Sequence, residues 1–254
     1  MEETKEFWDK RASEITDEIE DTYNDIYKRI LETKTLVDLI PSGSSVIDIG
    51  CGSGWGTRQF SRKAKLIMGT DFSEEMIAKA ISIRDKAETD DERSISYLIE
   101  DIRTTKLIEA FDIAISQRCL INVLDVKKQY KAIRNIHKKL ASGGVYLMLE
   151  CGQKGREKLN SARIQAGLEK MPDVPFNLDF EEKPLQHFLS DLFDLEKEIY
   201  FGSYDYISRI IYPLSIQPDE PKYISAINKH ASEMKVDNKF WKLSRTFLYV
   251  LRKK

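Results

Sequence analysis

Apolar positions along the chain change period several times, and the changes divide it. Over residues 1 to about 40, Ile26, Ile30, Leu31, Leu36 and Val37 recur at helical spacing among charged residues until Pro41-Ser42-Gly43 stops the pattern. A short apolar run from Ser44 to Ile49 then leads straight into glycines. Further short apolar runs at 66–69, 95–99, 111–116 and 145–149 each read as a strand covered on both faces. Helices are predicted between them over 74–86, capped by Ser73, and over 125–140, ended by Gly143-Gly144. Strands alternating with helices at this spacing predict βαβ units and an α/β, doubly wound, mostly parallel sheet.

After Glu150 the rhythm breaks. Residues 151–190 are polar, with Pro172, Pro175 and Pro184, and read as loop or helix. Phe193 to Phe201 reads as a strand, a Pro- and Tyr-containing stretch covers 203–240, and Thr246 to Leu251 reads as the last strand. The expected organisation is one domain over 1–254. It has a helical cap at 1–40, a ligand-binding core at 41–150, insertions at 151–190 and 203–240, and a final strand within 246–254.

Composition adds little to the class and removes several functions. A chain of 254 residues with 41% hydrophobic and 32% charged residues has an ordinary globular mix. Lys and Arg number 40 against 42 Asp and Glu, a formal net charge of -2, which argues against a general nucleic-acid binder. Cys51, Cys119 and Cys151 are scattered, with no CxxC pair, and His137, His187 and His230 form no H-x-x-x-H pair. Neither a disulfide framework nor a metal site is expected. The charged start lacks an apolar h-region and no run of 18 apolar residues occurs, so a cytoplasmic protein without a membrane span is expected.

The strongest signal is Val46-Ile47-Asp48-Ile49-Gly50-Cys51-Gly52-Ser53-Gly54-Trp55-Gly56, a strand ending in glycines. Glycine permits tight turns and close approach of a ligand to the main chain. A dinucleotide loop wants G-x-G-x-x-G, but the sixth position is Trp55 counted from Gly50, or Thr57 counted from Gly52. The pattern present is D-x-G-x-G-x-G, and Asp48 fits a ligand carrying an ammonium group, as S-adenosylmethionine (SAM) does. Asp71 closes the second strand and can accept the ribose hydroxyls, as acids do in dinucleotide folds, or can serve as an N-cap. Asp101 in Glu100-Asp101-Ile102 can accept from the adenine amine while Ile102 packs on the ring. Phe72 and Met76 either cover the adenine or fill the core.

Val-Ile-Asp-Ile-Gly-Cys-Gly-Ser-Gly, then Gly-Thr-Asp-Phe-Ser, then Glu-Asp-Ile closely resemble the class I SAM-dependent methyltransferases over about residues 40–150. The resemblance implies a Rossmann-like seven-stranded sheet with a reversed last strand. It also implies that Gly50, Cys51, Gly52 and Gly54 line the methionyl arm, that Asp71 takes the ribose and that Asp101 takes the adenine. The stretch Phe7 to Ala12 is similar to N-terminal helices that fold over SAM, with Arg11 near the methionine carboxylate. A narrower likeness runs through Ser116 to Asn122, Gln129, Leu140 to Gly144, Glu150, Asn160, Arg163, Gly167-Leu168 and Asn177. These resemble methyltransferases found with surface-polysaccharide (O-antigen or capsule) biosynthesis, although those often carry Trp-His-Asn where this chain has Pro175-Phe176-Asn177.

Methyl transfer is an in-line displacement in which the cofactor supplies the reactive group and the protein supplies alignment. The acceptor belongs near the carboxyl ends of the fourth and fifth strands. Gln117 there is a candidate roof over the methionyl group. Arg118 is a candidate contact for an acidic acceptor, and Asn122, Asn160, Arg163 and Asn177 are further acceptor candidates. A hydroxyl acceptor is helped by a general base, for which Glu150 is the first candidate and His187 the second. Glu150 has an alternative as a hydrogen-bond anchor, and His187 as a packed core residue. Ser-Gln-Arg-Cys after the fourth strand lacks the Pro-Pro-aromatic tetrad of DNA amino-methyltransferases, so no nucleic-acid acceptor is expected. The expected activity is methyl transfer to a sugar or glycan-like acceptor, directed to oxygen, with S-adenosylhomocysteine (SAH) as product. A small amine or carboxylate is the alternative acceptor. A non-catalytic SAM-binding scaffold is the reading outside enzymes, and an NAD-dependent oxidoreductase comes last. Oligomeric state is left open.

Overall fold

The computed structural model describes residues 2–14, 24–87, 94–105, 110–217 and 219–254. Residues 15–23 of the expected N-terminal helical cap, and residue 218 of the second insertion, lie outside them. Seven strands form one sheet: β1 (Ser44–Ile49), β2 (Ala64–Asp71), β3 (Ser96–Ile99), β4 (Phe111–Gln117), β5 (Leu140–Cys151), β6 (Phe193–Tyr200) and β7 (Thr246–Lys253). Their order is β3-β2-β1-β4-β5-β7-β6. The first five pair in parallel, while β7 runs antiparallel to both β5 and β6.

Alternation along the strands splits the core into two layers. Ile47, Ala114, Tyr146, Met148, Phe247 and Tyr249 face one side, packed with Ala132, Ile133 and Ile136 of α5 (Val126–Lys139) and Leu185 and Leu189 of α7 (Glu182–Ser190). Val46, Ile113, Ile115, Leu147, Leu149, Leu248 and Val250 face the other. There they meet Leu31 and Leu36 of α2 (Ile26–Leu39) and Phe60 of α3 (Trp55–Ser61). This is the period-2 exchange that a strand covered on both faces requires.

Local chemistry places most ends. The Ser73 hydroxyl accepts from Met76 N at 3.1 Å and starts α4 (Glu74–Arg84). Asp125 does the same for α5 through Lys128 N at 3.0 Å. One predicted boundary is corrected. Gly143-Gly144 does not end α5, which stops at Lys139 and passes directly into β5 at Leu140. Gly143, at φ 68°, instead sits where the β4–β5 register shifts between Phe111 and Ile113.

The insertions are helical. The first holds α6 (Gln153–Gln165) and α7, and the second holds α8 and α9 (Ala226–Glu233). Helix α8 runs from Gly202–Tyr206 through a π-helical turn, Ile207–Ile211, into Tyr212–Ile216. Helix α1 (Glu2–Glu14) lies against α4. Among the described residues no helix is long and apolar enough to cross a membrane.

Candidate active site

The strand order reverses between β1 and β4, and a ligand crevice opens outside the carboxyl ends of strands at such a point. The loop after β1 and the turn after β4 are its two lips. Gly50, Gly52 and Gly54 hold φ of 72°, 55° and 81°, a left-handed region open mainly to glycine. Space demands them too. A Cβ on Gly50 would overlap the Cys119 thiol, and one on Gly54 would overlap the Tyr97 hydroxyl. Thr70 O takes the N–H groups of Gly50 and Cys51 at 2.7 and 3.0 Å, so the loop is tied to the end of β2. Cys51 is buried inside the loop, and burial pushes its thiol well up.

Two acids brace this cradle. Asp71 is 8% exposed and accepts from Gly52 N at 3.0 Å and Ser73 N at 2.9 Å, one on each oxygen. A carboxylate has about four lone-pair positions, so these two bonds do not by themselves fill it. Asp48 is buried and accepts from the Thr57 hydroxyl at 2.6 Å. Burial pushes its carboxyl up to about 7, against the opposing effect of the Thr57 bond. A cationic ligand group beside it restores the charged form, so the donor set fits a cofactor that carries an ammonium.

The adenine end differs from expectation. Asp101 is half-buried and gripped by Arg103, whose Nε and Nη2 each donate to it at 2.7 Å. Burial opposes ionisation, but the Arg103 bonds hold Asp101 below the usual carboxylate range. An adenine amine would share Asp101 with that fork. The Arg103 guanidinium lies 5.8 Å from the Phe72 ring centre, so Phe72 borders the same region. Ile102 is a core residue, and Met76 is fully buried beneath Ala12 and Trp8 of α1. Met76 therefore seats the N-terminal helix, the core-filling one of its two expected roles rather than the one at the adenine.

Helix α1 is fixed to the crevice rim. The Ser73 hydroxyl donates to Asp9 at 2.5 Å, and Phe7 stacks on Phe176 of the first insertion with centroids 4.4 Å apart. Arg11 is half-buried on this helix, next to Ala12. Gln117 is held by the Thr33 hydroxyl of α2 at 3.1 Å.

Several acceptor candidates turn out to hold the scaffold. Asn122 Nδ2 donates to Phe176 O and to Asn177 Oδ1, both at 2.9 Å, so the two asparagines meet and fasten Phe176. Asn160 accepts from Met171 N, while Arg163 Nε donates to Glu169 O and its Nη1 to Arg209 O. Arg118 Nη2 donates to the buried Glu32 of α2 at 2.7 Å.

Both candidate bases are corrected. Glu150 is 0% exposed. Its Oε1 accepts from the Ser116 hydroxyl at 2.8 Å and Leu120 N at 3.1 Å, and its Oε2 from Ile121 N at 3.3 Å. It anchors the turn after β4, enclosed away from any acceptor, although burial pushes it up to about 7. His187 faces solvent on α7, whose Leu185 and Leu189 face the core, so it is neither a packed core residue nor a crevice group.

A mostly parallel sheet with a reversed seventh strand, a left-handed glycine cradle and acids at the ends of β1 and β2 define the class I, Rossmann-like methyltransferase fold. Residues 46–144 match the family model described as a methyltransferase domain, so the chain carries such a domain. No match is found among curated protein sequences. The fold is similar to the N-methyltransferase NodS from Bradyrhizobium japonicum WM9 in complex with SAH. That comparison gives a TM-score of 0.60 and 15% identity over 98% of each chain. A protein from Pyrococcus horikoshii OT3 gives 0.60 and 18%, over 93% of this chain and 94% of its own. Magnesium protoporphyrin IX methyltransferase (ChlM) from Synechocystis PCC 6803 with bound SAH gives 0.57 and 13%, over 90% and 82%.

Proposed function

We propose that this methyltransferase acts on a small, polar, glycan-like acceptor. The observation that carries the reading is a cleft of about 520 Å3 between α5, α6 and the segment leading into α7. Its lining includes Gln129, Tyr130, Gln153, Asn160, Asn177 and Phe180, amides and aromatic faces of the kind that bind sugar hydroxyls and ring faces, with four acids and one arginine beside them. The cleft adjoins the turn after β4, because Gln129 Nε2 donates to Leu120 O and Leu178 O, and Asn177 is bonded to Asn122.

When bound, SAM supplies an electrophilic methyl carbon on a cationic sulfur, open to in-line attack by an acceptor lone pair. The chain's own residues bind, orient and exclude water. Gly50, Gly52 and Gly54 give the close backbone approach, Asp71 offers acceptors for the ribose, and Asp48 faces the ammonium. Phe7 stacks on Phe176 and ties the N-terminal helix to the first insertion. Because Glu150 is enclosed and His187 faces away, a hydroxyl acceptor would pass its proton to water. That observation favours a second reading, in which the acceptor atom is a neutral amine nitrogen or a carboxylate oxygen and needs no base.

SAH release should therefore be followed over a panel of sugars, sugar nucleotides, small amines and small carboxylates. Turnover confined to sugars supports the glycan reading with oxygen as the target. Turnover only on non-sugar amines or carboxylates replaces it with the second reading. The Asp48 assignment has its own test. Its carboxyl titrates near 7 without ligand and the ionised form faces the ammonium, so SAM affinity should fall as pH drops from about 8 to about 6. Asp48→Asn should weaken binding at pH 8 and flatten the pH dependence in calorimetry. A wild-type affinity that ignores pH would separate Asp48 from the cofactor.

A further inference from the structure

The turn after β3 carries Asp101, the acid expected to take the adenine amine, and its acceptor positions are already used. Arg103 donates to Asp101 Oδ1 from its backbone N at 2.9 Å and from Nε at 2.7 Å. Nε also reaches Oδ2 at 3.0 Å, and Nη2 donates to Oδ2 at 2.7 Å. A carboxylate has about four lone-pair positions, and these contacts meet all of them. Arg103 Nη1 makes no bond among the described residues, so its N–H groups are left for a ligand or water.

The pair is set in place. The Asp101 and Arg103 side chains keep 28% and 16% exposure. Glu100 N donates to Asp71 O at 2.8 Å, which ties the turn to the acid assigned to the ribose. From the other side, Asn135 Nδ2 of α5 donates to Ile102 O at 2.8 Å. The guanidinium lies beside Phe72, the residue after Asp71, and its charge is felt at Cys119 next to Gly50. A purine on a ribose held by Asp71 therefore meets this guanidinium.

We propose that Arg103, not Asp101, meets the N7 and position-6 edge of the cofactor's purine, and that Asp101 is the positioning residue that holds the guanidinium there. Adenine presents an N7 acceptor and a 6-amino donor on that edge, whereas a 6-carbonyl purine presents two acceptors, the pattern that a guanidinium matches best. A site built to accept from the amine rejects a base that lacks it. A site that donates to N7 loses nothing when the amine becomes a carbonyl. Selection for the amine is therefore weak in this chain. The inference rests on the reading that SAM lies in the glycine cradle with its ribose at Asp71.

The test titrates the full chain by calorimetry with SAH and with S-inosylhomocysteine, in which a carbonyl replaces the 6-amino group. Wild type should bind the inosyl analogue no more than about fivefold more weakly than SAH. Arg103→Met frees the Asp101 lone pairs for the amine, so the preference for SAH should rise by at least about fivefold over wild type. Asp101→Asn loosens the guanidinium and should weaken both ligands by a similar factor, about twofold or more. If Arg103→Met does not fold, Arg103→Lys is read in its place. It keeps the charge without the fork and should raise the preference by at least about twofold. A larger wild-type preference for SAH, a smaller rise in the variant that is read, or loss of SAH binding by a folded Arg103→Met overturns the proposal. So does an Asp101→Asn loss that is absent or confined to SAH. Failure of the wild type to bind SAH would be a separate failure of the cofactor assignment. Asp71→Ala, which should weaken both ligands alike, checks the ribose placement independently.

Discussion

Asp71→Ala is expected to weaken SAH binding by about 1.5–3 kcal/mol, roughly 10- to 150-fold in Kd. Two losses combine. The ribose hydroxyls lose a charged acceptor in a site where the carboxylate is only 8% exposed. The cradle loses its brace as well, because Asp71 holds Gly52 N at 3.0 Å and Ser73 N at 2.9 Å, linking the glycine loop to the start of α4. Asp71→Asn separates the two. The amide keeps one oxygen for the loop but sets its own N–H against the other backbone N–H and offers the ribose no charge, so its losses in binding and in ligand-free thermal midpoint should both be smaller than those of alanine. Calorimetry with SAH and unfolding without ligand read the two effects independently. Unchanged SAH affinity in Asp71→Ala would reject the ribose assignment.

What the sequence disclosed and what it hid divide along a physical line. The cradle was legible because left-handed backbone leaves glycine almost no substitute, and Gly50, Gly52 and Gly54 all take that conformation. The central strands were legible because burial on both faces demands unbroken apolar runs, whereas the edge strand β3, also expected to be covered on both faces, leaves Leu98 and Ile99 exposed. The reversed β7 was an expectation from family resemblance, and the antiparallel pairing of Cys151 with Thr246 bears it out. Residues whose meaning depends on distant partners were not legible. Asp25, Lys28 and Glu32 sit at helical spacing and look like a solvated face of α2. Their partners Arg118, Asp205, Arg209 and Arg245 come from three other parts of the chain and turn that face into a buried network. Met76 could cover the adenine or fill the core, and only the packing of α1 on it decides for the core. Asn122 looked like a substrate ligand, but it fastens Phe176 under Phe7 and bonds Asn177, which itself lines the cleft. Local geometry can be read from residue type, whereas pairing between positions far apart in the chain cannot.

Glu150→Ala is expected to cost about 3–5 kcal/mol of folding stability, the largest effect of any single change considered. It would leave Ser116, Leu120 N and Ile121 N as buried groups without their carboxylate, at roughly 1–3 kcal/mol for each one unsatisfied. The turn they hold carries Arg118 and Cys119, so both lips of the crevice would loosen together. Glu150→Gln tests function apart from stability. It keeps the shape and an acceptor oxygen, but places an amide N–H near a backbone N–H, so a smaller loss is expected. The pH dependence gives an independent reading. The folded Glu150 carboxyl is raised to about 7 from 4.5, so between those values the folded state binds more protons than the unfolded one. Its contribution to stability is therefore highest below about 4.5 and is lost as pH rises through about 7. Glu32, raised to about 8, and Asp48, raised to about 7, act in the same direction. Urea unfolding of the ligand-free wild type should show stability falling from pH 5 to pH 8, and Glu150→Gln should show a shallower fall. Once an acceptor is in hand, the same variant should retain turnover within about tenfold of wild type. A loss of a thousandfold or more, with stability and SAH binding intact, would return Glu150 to the role of general base.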